Sequence, residues 1–421
     1  MTKPIFNWIT PQDLTLKRTP LFDEHRRLGA KLIPFAGWEM PVWYSSVGEE
    51  HRAVRETAGL FDVAHMGTLE VAGPHAAEFL DLVGTNRVSD IKPGGSRYST
   101  LLDINGQILD DMWVYRPATE RFFVVVNASN WDKDWAWLNA VNQNRVVIDA
   151  ERPDWGWETP VVLRNLKDPT SGDDQRVDLA LQGPRSLEIL LACDENPAVQ
   201  NGLKALKRTQ LIETCFAGME LLIARTGYTG EPLGFELYVH PERAVELWRL
   251  LLEKGQPLGL KPCGLAARDS TRIEAGLPLY GHDLDGPLHI TPTEAGFDRY
   301  VKYDKAFFIG KAPYVAYHQT AERQMVRFQV EKGARPLRGG EHGEPVVSSR
   351  GRVIGTVTSC APVGEAQIGL ALVEARYTEP GSDVLIYPET KRAVRKLPHE
   401  FEWGDMVALP VRAVILPRFP Q

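Results

Sequence analysis

The chain has 421 residues, is 43% hydrophobic and 24% charged, and carries a formal net charge of −7. This length favours two or three domains with ample core. The acidic balance offers no attraction to nucleic acid or to an anionic membrane surface.

Four cysteines, Cys193, Cys215, Cys263 and Cys360, lie far apart with no Cys-x-x-Cys pair. That argues for a reducing compartment and against a disulfide framework or a zinc site. The ten histidines show no metal-ligand spacing. No apolar run approaches the roughly 20 residues of a membrane helix, and MTKPIFNWITPQDL lacks the pattern of a signal peptide. A cytoplasmic protein without metal is expected. The longest basic cluster, Lys391-Arg392 with Arg395-Lys396, reads as a solvated strand face.

In chain order, residues 1–17 read as an irregular arm. Residues 19–30 have helical character, with Thr19 as N-cap and Pro20 at the first helical position. Residues 49–58 read as a second helix, ended by Gly59, followed by a strand at 67–71 and an amphipathic helix at 74–82. Tyr98 to Tyr115, YSTLLDINGQILDDMWVY, reads as a β-hairpin, because Asn105-Gly106 fits a two-residue type I′ turn. Side chains alternate faces along a strand, so Leu109, Asp111, Trp113 and Tyr115 share one face, and Ile108, Asp110, Met112 and Val114 the other. Turn-set register places Thr100 opposite Asp111 and Tyr98 opposite Trp113. A carboxylate among flat rings suits a cationic or ring-shaped ligand. The competing interpretation is an ordinary hairpin with a solvated acidic edge.

A strand at 121–126 and a helix at 129–141 follow. The middle of the chain repeats this mixture: strands at 177–182, 219–225 and 235–239 and helices at 184–191, 241–254 and 264–275. Strands and helices mixed in this way predict an α+β fold. After about residue 300 the texture changes to short strands broken by Gly and Pro, at 345–348, 352–358, 368–373 and 383–386, which predicts a small β-barrel or sandwich. Residues 310–319 form the helical connector. The tail alternates apolar residues (Val407, Leu409, Val411, Ala413, Ile415) and predicts a last strand or wrap on the barrel. The expected division is an arm at 1–17, two α+β lobes at 18–300, and a barrel with its tail at 320–421.

Five further blocks stand in order: RTPLFDEHRRLGAKLIPFAGWEMPVWY (18–44), EEHRAVRETAGLFDVAHMG (49–67), RTGYTGEPLGFEL (225–237), KPCGLAARDSTRIEAGLPLYGHDLD (261–285) and EAGFDRYVKYDKAFFIGK (294–311). With the hairpin, they resemble the glycine-cleavage T-protein and its wider folate-dependent family. The resemblance runs from about residue 18 to about residue 387. It implies two mixed α+β domains and a C-terminal β-barrel in a cloverleaf around a folate channel. It also implies one-carbon transfer to tetrahydrofolate. In a T-protein the donor is the aminomethyl group on lipoylated H-protein, and ammonia leaves as 5,10-methylene-tetrahydrofolate forms.

The family's Ile-x-Asp-Asp strand places its key carboxylate on Asp111, the residue that strand alternation also selects. The same resemblance assigns Tyr98 and Tyr115 to the folate channel, Asn127 to the pterin's neighbourhood, Glu236 to the pterin edge, Arg268 to the folate site and Met66 to the substrate side. A carboxylate can accept the pterin's amino and N3–H donors side by side, and an arginine suits the glutamate tail. His65 belongs to the same signature and reads equally as a structural residue.

The sequence departs from the T-protein pattern at Pro232-Leu233, at the insertion GPLHITP, at Cys360 after Val357-Thr358-Ser359, and in the tail from Glu389 to Gln421. Two alternatives therefore stay open. One is a tetrahydrofolate-dependent demethylase acting on a small O-, N- or S-methylated molecule. The other is a non-catalytic folate-binding accessory protein, whose Lys-Gly-Cys-x-x-Gly-Gln motif is absent from Lys261-Pro262-Cys263-Gly264-Leu265-Ala266-Ala267.

Overall fold

The computed structural model describes residues 3–9, 15–334, 337, 343–387 and 410–420. The chain folds as two compact units, Met1–Arg268 with Arg299–Gln319, and Asp269–Asp298 with Thr320–Gln421.

The first unit holds two large sheets. One has five antiparallel strands in the order Gly95–Leu102, Ile108–Ala118, Arg121–Val126, Gly67–Ala72 and Val162–Asn165. Alternation sends Leu101, Met112, Val114, Phe122, Val124, Val126, Leu69 and Val71 to one face, where the helices Ala76–Val83 and Trp131–Asn142 cover them with Phe79, Leu80, Trp137, Leu138 and Val141. The second sheet runs Leu211–Phe216, Met219–Ala224, Gly234–Val239, Val177–Gln182, Ala58–Asp62 and Leu260–Cys263; only the last pairing is parallel. Leu60, Leu179, Leu181, Leu237, Val239 and Ile223 pack against the helices Ser186–Cys193, Pro197–Ala205 and Ala244–Gly255. A two-stranded hairpin, Lys31–Phe35 with Trp38–Trp43, completes the unit's sheets, turning at Ala36 and Gly37, both at positive φ.

In the second unit Arg323–Val330, Ala366–Glu374, Val353–Val363, Pro345–Val347, Asp383–Ile386 and Val411–Leu416 close into a six-stranded barrel. Val326, Phe328, Val357, Ala371, Val373, Val384, Ala413 and Ile415 fill it. Beside it Arg272 is buried, bonded to Asp269 and Asp283, and the Ser359 hydroxyl lies 2.9 Å from both Asp283 oxygens. The fold is thus α+β with a closed barrel, as the sequence predicts. Val407, Leu409 and the Lys391–Lys396 cluster lie outside the described residues.

Several local expectations are corrected. The first helix is only Phe22–Arg27, shorter than expected; just ahead of it the Thr19 hydroxyl accepts from the Leu21 N–H at 3.3 Å and donates to Asp62 at 2.6 Å. Gly59 does not stop a helix. The helix Val47–Glu56 is capped by Ser46, and Gly59 lies inside a strand. At the hairpin tip only Gly106 takes positive φ, so the turn is not type I′. Asp103 closes the loop instead, its Oδ1 accepting from the backbone of Asn105 and Gln107 at 2.8 and 2.9 Å. Leu102 then pairs with Ile108 but Leu101 with Asp110, so a bulge at Leu109 restores the expected register, Thr100 opposite Asp111 and Tyr98 opposite Trp113. The bulge also turns Leu109 to the helix-covered side, away from Asp111.

Candidate active site

The two sheets of the first unit meet through their other faces. Tyr115, Phe123 and Val125 from one join Leu222, Ala224 and Tyr238 from the other in a single buried cluster. Met66, half-buried, packs on this cluster and on a second one made of Val54, Phe61, Val63, Ala180, Cys263 and Ala267.

The hairpin holds Asp111 half-buried on this side. Its Oδ1 accepts from Asn127 Nδ2 at 2.5 Å. Burial and the adjacent Asp110 push its carboxyl up to about 7, while the Tyr98 hydroxyl and the Asn127 amide pull it the other way. A carboxyl near 7 can both take and give a proton at neutral pH. Asp110, fully buried on the opposite face, accepts from the Asn127 backbone (2.9 Å), Asn127 Nδ2 (2.8 Å) and Asn130 Nδ2 (2.7 Å). One amide, Asn127, therefore ties both carboxylates together.

Rings lead from Asp111 to the second sheet. Tyr98 lies 4.9 Å from Tyr300 and 6.2 Å from Trp113, and Trp113 lies 6.3 Å from Tyr115, all between centroids. Tyr115 has no exposed surface; its hydroxyl donates to Glu236 Oε2 at 2.8 Å and contacts the hydroxyls of Thr226 (2.9 Å) and Tyr238 (3.1 Å). Thr226 and Tyr238 also donate to Glu236 Oε2. Three hydroxyls on one oxygen fix this carboxylate and leave Oε1 without a hydrogen bond among the described residues.

The Arg268 guanidinium stands over the Tyr228 ring at 4.9 Å. The Tyr228 loop is held by Gln182, whose Oε1 accepts from the Thr229 hydroxyl (2.9 Å) and whose Nε2 donates to the Thr226 carbonyl (3.2 Å). A Cβ at Gly227 would lie 1.9 Å from Gln182 Oε1, so a side chain there would have to displace the Gln182 amide that holds the loop. The structure thus joins Asp111 and Asn127 by a hydrogen bond, with Tyr98 beside them, and Tyr115 and Glu236 by another. Rings connect the two, with Met66 beside them.

Sequence reasoning missed several neighbours. Asp178 is buried on the same sheet, paired across the strands with Tyr238, and its Oδ1 has no partner among the described residues. Burial and Glu236 raise its carboxyl, against the pull of Arg268 and Lys167. Its signal was an acid inside the apolar strand VDLALQ, where every residue is buried. Lys167 donates to the carbonyls of Ala64 and Met66 and stands 4.8 Å over Trp38, clamping the bend that carries Met66; burial brings its ammonium down to about 8. His65 is buried and held neutral, its pKa brought down to about 3 mainly by burial, and its Nδ1 lacks a partner among the described residues. The Trp113 indole N–H is likewise unpartnered.

Paired sheets enclosing an acid-and-aromatic ribbon in the first unit, and a closed barrel in the second, define a two-unit α+β protein whose first unit holds a polar, ring-lined site. Comparison with known proteins gives this class its family. Residues 21–305 match the GCVT N-terminal domain, and residues 323–398 match the glycine cleavage T-protein C-terminal barrel domain. The aminomethyltransferase of Halothermothrix orenii is 41% identical over 398 residues, covering 94% of this chain and 99% of its own. That of Desulfitobacterium hafniense is 42% identical over 383 residues, covering 90% and 96%. The crystal structure of glycine cleavage system aminomethyltransferase T from Bartonella henselae superposes with a TM-score of 0.74 at 31% identity, covering 96% of this chain and 97% of that one. The chain belongs to the glycine-cleavage T-protein family, a family of transferases, which bears out the resemblance seen in its sequence blocks.

Proposed function

We propose that the protein is a tetrahydrofolate-dependent aminomethyltransferase, taking the aminomethyl group carried by a lipoylated H-protein and releasing ammonia. Tetrahydrofolate supplies the nucleophilic amine that receives the one-carbon unit. The observation that carries this reading is Asp111, a half-buried carboxyl brought to about 7 and anchored by Asn127, with Tyr98 and a run of aromatic rings beside it.

The residues present fit a reduced pterin with a glutamate tail. Glu236 Oε1 is an anchored acceptor for an amino edge, and Tyr115 acts through Glu236. The Trp113 N–H, without a partner among the described residues, is a donor, and the partly buried Arg268 guanidinium suits a carboxylate tail. Met66 supplies an apolar contact. The work of Asp111 is to hold or pass a proton and to stabilise developing positive charge, while the aromatic ribbon orients the acceptor.

The test is a product assay. Aminomethylated H-protein with tetrahydrofolate should yield methylene-tetrahydrofolate and ammonia, and Asp111→Asn should lose about 10²–10⁴-fold in turnover while keeping folate binding. Methyl-tetrahydrofolate formed from a small methylated donor would establish the demethylase reading. Tight folate binding without turnover on either donor would establish an accessory role.

A further inference from the structure

Asp134 lies near the start of the helix Trp131–Asn142, on the stripe that also carries Trp137, Leu138 and Val141, and it is fully buried. Neither of its carboxyl oxygens receives an N–H or hydroxyl donor among the described residues. Its polar neighbour is Asp110 on the sheet beneath. Lys133, on the same helix, sends its ammonium to the Leu109 carbonyl (2.5 Å) and Asn130 Oδ1 (3.3 Å). Two carboxyls thus face each other in an apolar layer, where two negative charges cannot both persist. Three N–H donors satisfy the Asp110 oxygens, and none reaches Asp134, so the proton between the two carboxyls resides on Asp134.

We propose that Asp134 is a positioning residue that works as a neutral acid: its O–H donates to Asp110 and, through Asn127, sets the orientation and proton affinity of Asp111. The link is continuous. Asn127 Nδ2 donates to Asp110 Oδ1 at 2.8 Å and to Asp111 Oδ1 at 2.5 Å. The charged or titratable groups facing Asp134 are Asp110 and Asp111 from the strand and Lys133 from its own helix. Those facing Asp111 are Asp110 on its own strand and Tyr98 on the neighbouring one. With the Asp134 donor gone, the hold on the Asp110–Asn127–Asp111 group loosens, and the proton affinity of Asp111 changes with it. The inference rests on reading Asp111 as the acting carboxylate.

The test is a carboxyl titration by NMR on the ligand-free, full-length protein carrying ¹³C-labelled aspartate, with Asp111→Asn and Asp134→Asn to assign the two signals. One buried carboxyl should stay protonated through pH 8 and vanish in Asp134→Asn. The Asp111 midpoint should be kept in Asp134→Asn, whose amide still donates, and shift by about one pH unit or more in Asp134→Leu. An ionised Asp134 at pH 7 overturns the proposal, as does an Asp111 midpoint unmoved in Asp134→Leu or moved equally in Asp134→Asn. If Asp134→Leu does not fold, the parent and Asp134→Asn spectra still decide. No turnover is required, so a failed product assay with the expected titrations counts against the proposed reaction alone.

Discussion

A carboxyl that keeps its proton in the folded chain but not in the unfolded one makes stability depend on pH. Asp111 is raised to about 7 in the fold, so from about pH 4 upward the unfolded chain binds fewer protons at this position. Stability drawn from this residue therefore falls as pH rises to about 7 and is flat beyond. Asp111→Asn has no such term. Its melting temperature, relative to the parent, should improve between pH 4 and pH 7 by the equivalent of about 1–3 kcal/mol, discounted because the side chain is only half-buried. A difference that stays constant across that range would contradict the buried-carboxyl account. Glu236 and Tyr115 make a second test at this scale. Removing the charge in Glu236→Gln should weaken folate binding by about 10–100-fold with a smaller change in kcat, and Tyr115→Phe should weaken it less. Because Tyr115 acts through Glu236, the double variant should fall short of the product of the two effects; full additivity in binding measurements would separate them.

Elements turn these residues into a site. The hairpin was legible because its pattern is local: alternation separates Asp111 from Asp110, and the register followed even though the turn type did not. The bulge at Leu109 was not legible, since one extra residue compensates for the longer loop and leaves no mark on the alternation. Strands containing proline, Lys31–Phe35, Trp38–Trp43 and Leu260–Cys263, escaped for a related reason: Pro34, Pro41 and Pro262 read as breakers. Ala58–Asp62 is buried on both faces and shows no alternation to read. Asp134 and Asp178 each break an apolar pattern, but what they face lies across the fold, beyond the reach of any window of sequence. The helix carrying Asn130 and Asp134 is seated on the sheet at Gly67, where a Cβ would lie 2.2 Å from the Trp131 ring and 2.7 Å from Val126 Cγ2. Gly67→Ala should therefore push this helix off the sheet, costing about 1–3 kcal/mol in a urea titration and lowering turnover as the Asp110–Asn127–Asp111 group loosens. An unchanged urea midpoint would show that the contact is not tight.

Across the whole molecule, the barrel's alternating short strands and the α+β texture upstream were readable as composition and punctuation, whereas the meeting of two sheets around Tyr115, Tyr238 and Glu236 depends on which faces the helices leave uncovered. That burial has a global consequence in alkali. Tyr44, Tyr98, Tyr115 and Tyr238 are all held protonated well above the ordinary phenol range, chiefly by burial. Cys193 and Cys360 are pushed up to about 12, and Cys263 is raised as well. Unfolded thiols ionise near pH 8.5 and phenols near 10, so above about pH 8.5 the unfolded chain binds progressively fewer protons than the folded one and stability falls. Lys167 and Lys305, each lowered to about 8, act in the opposite sense up to about pH 10.5, but three thiols and four phenols outnumber two amines. The protein should therefore unfold cooperatively in alkali. Four of its 12 tyrosines should gain tyrosinate absorbance only at that transition, together with the loss of near-ultraviolet circular dichroism. Smooth ionisation of all the tyrosines near pH 10, with the native circular dichroism intact, would mean that the rings between the two sheets are open to water and that the site is not the enclosed, low-dielectric ribbon on which the proton chemistry of Asp111 depends.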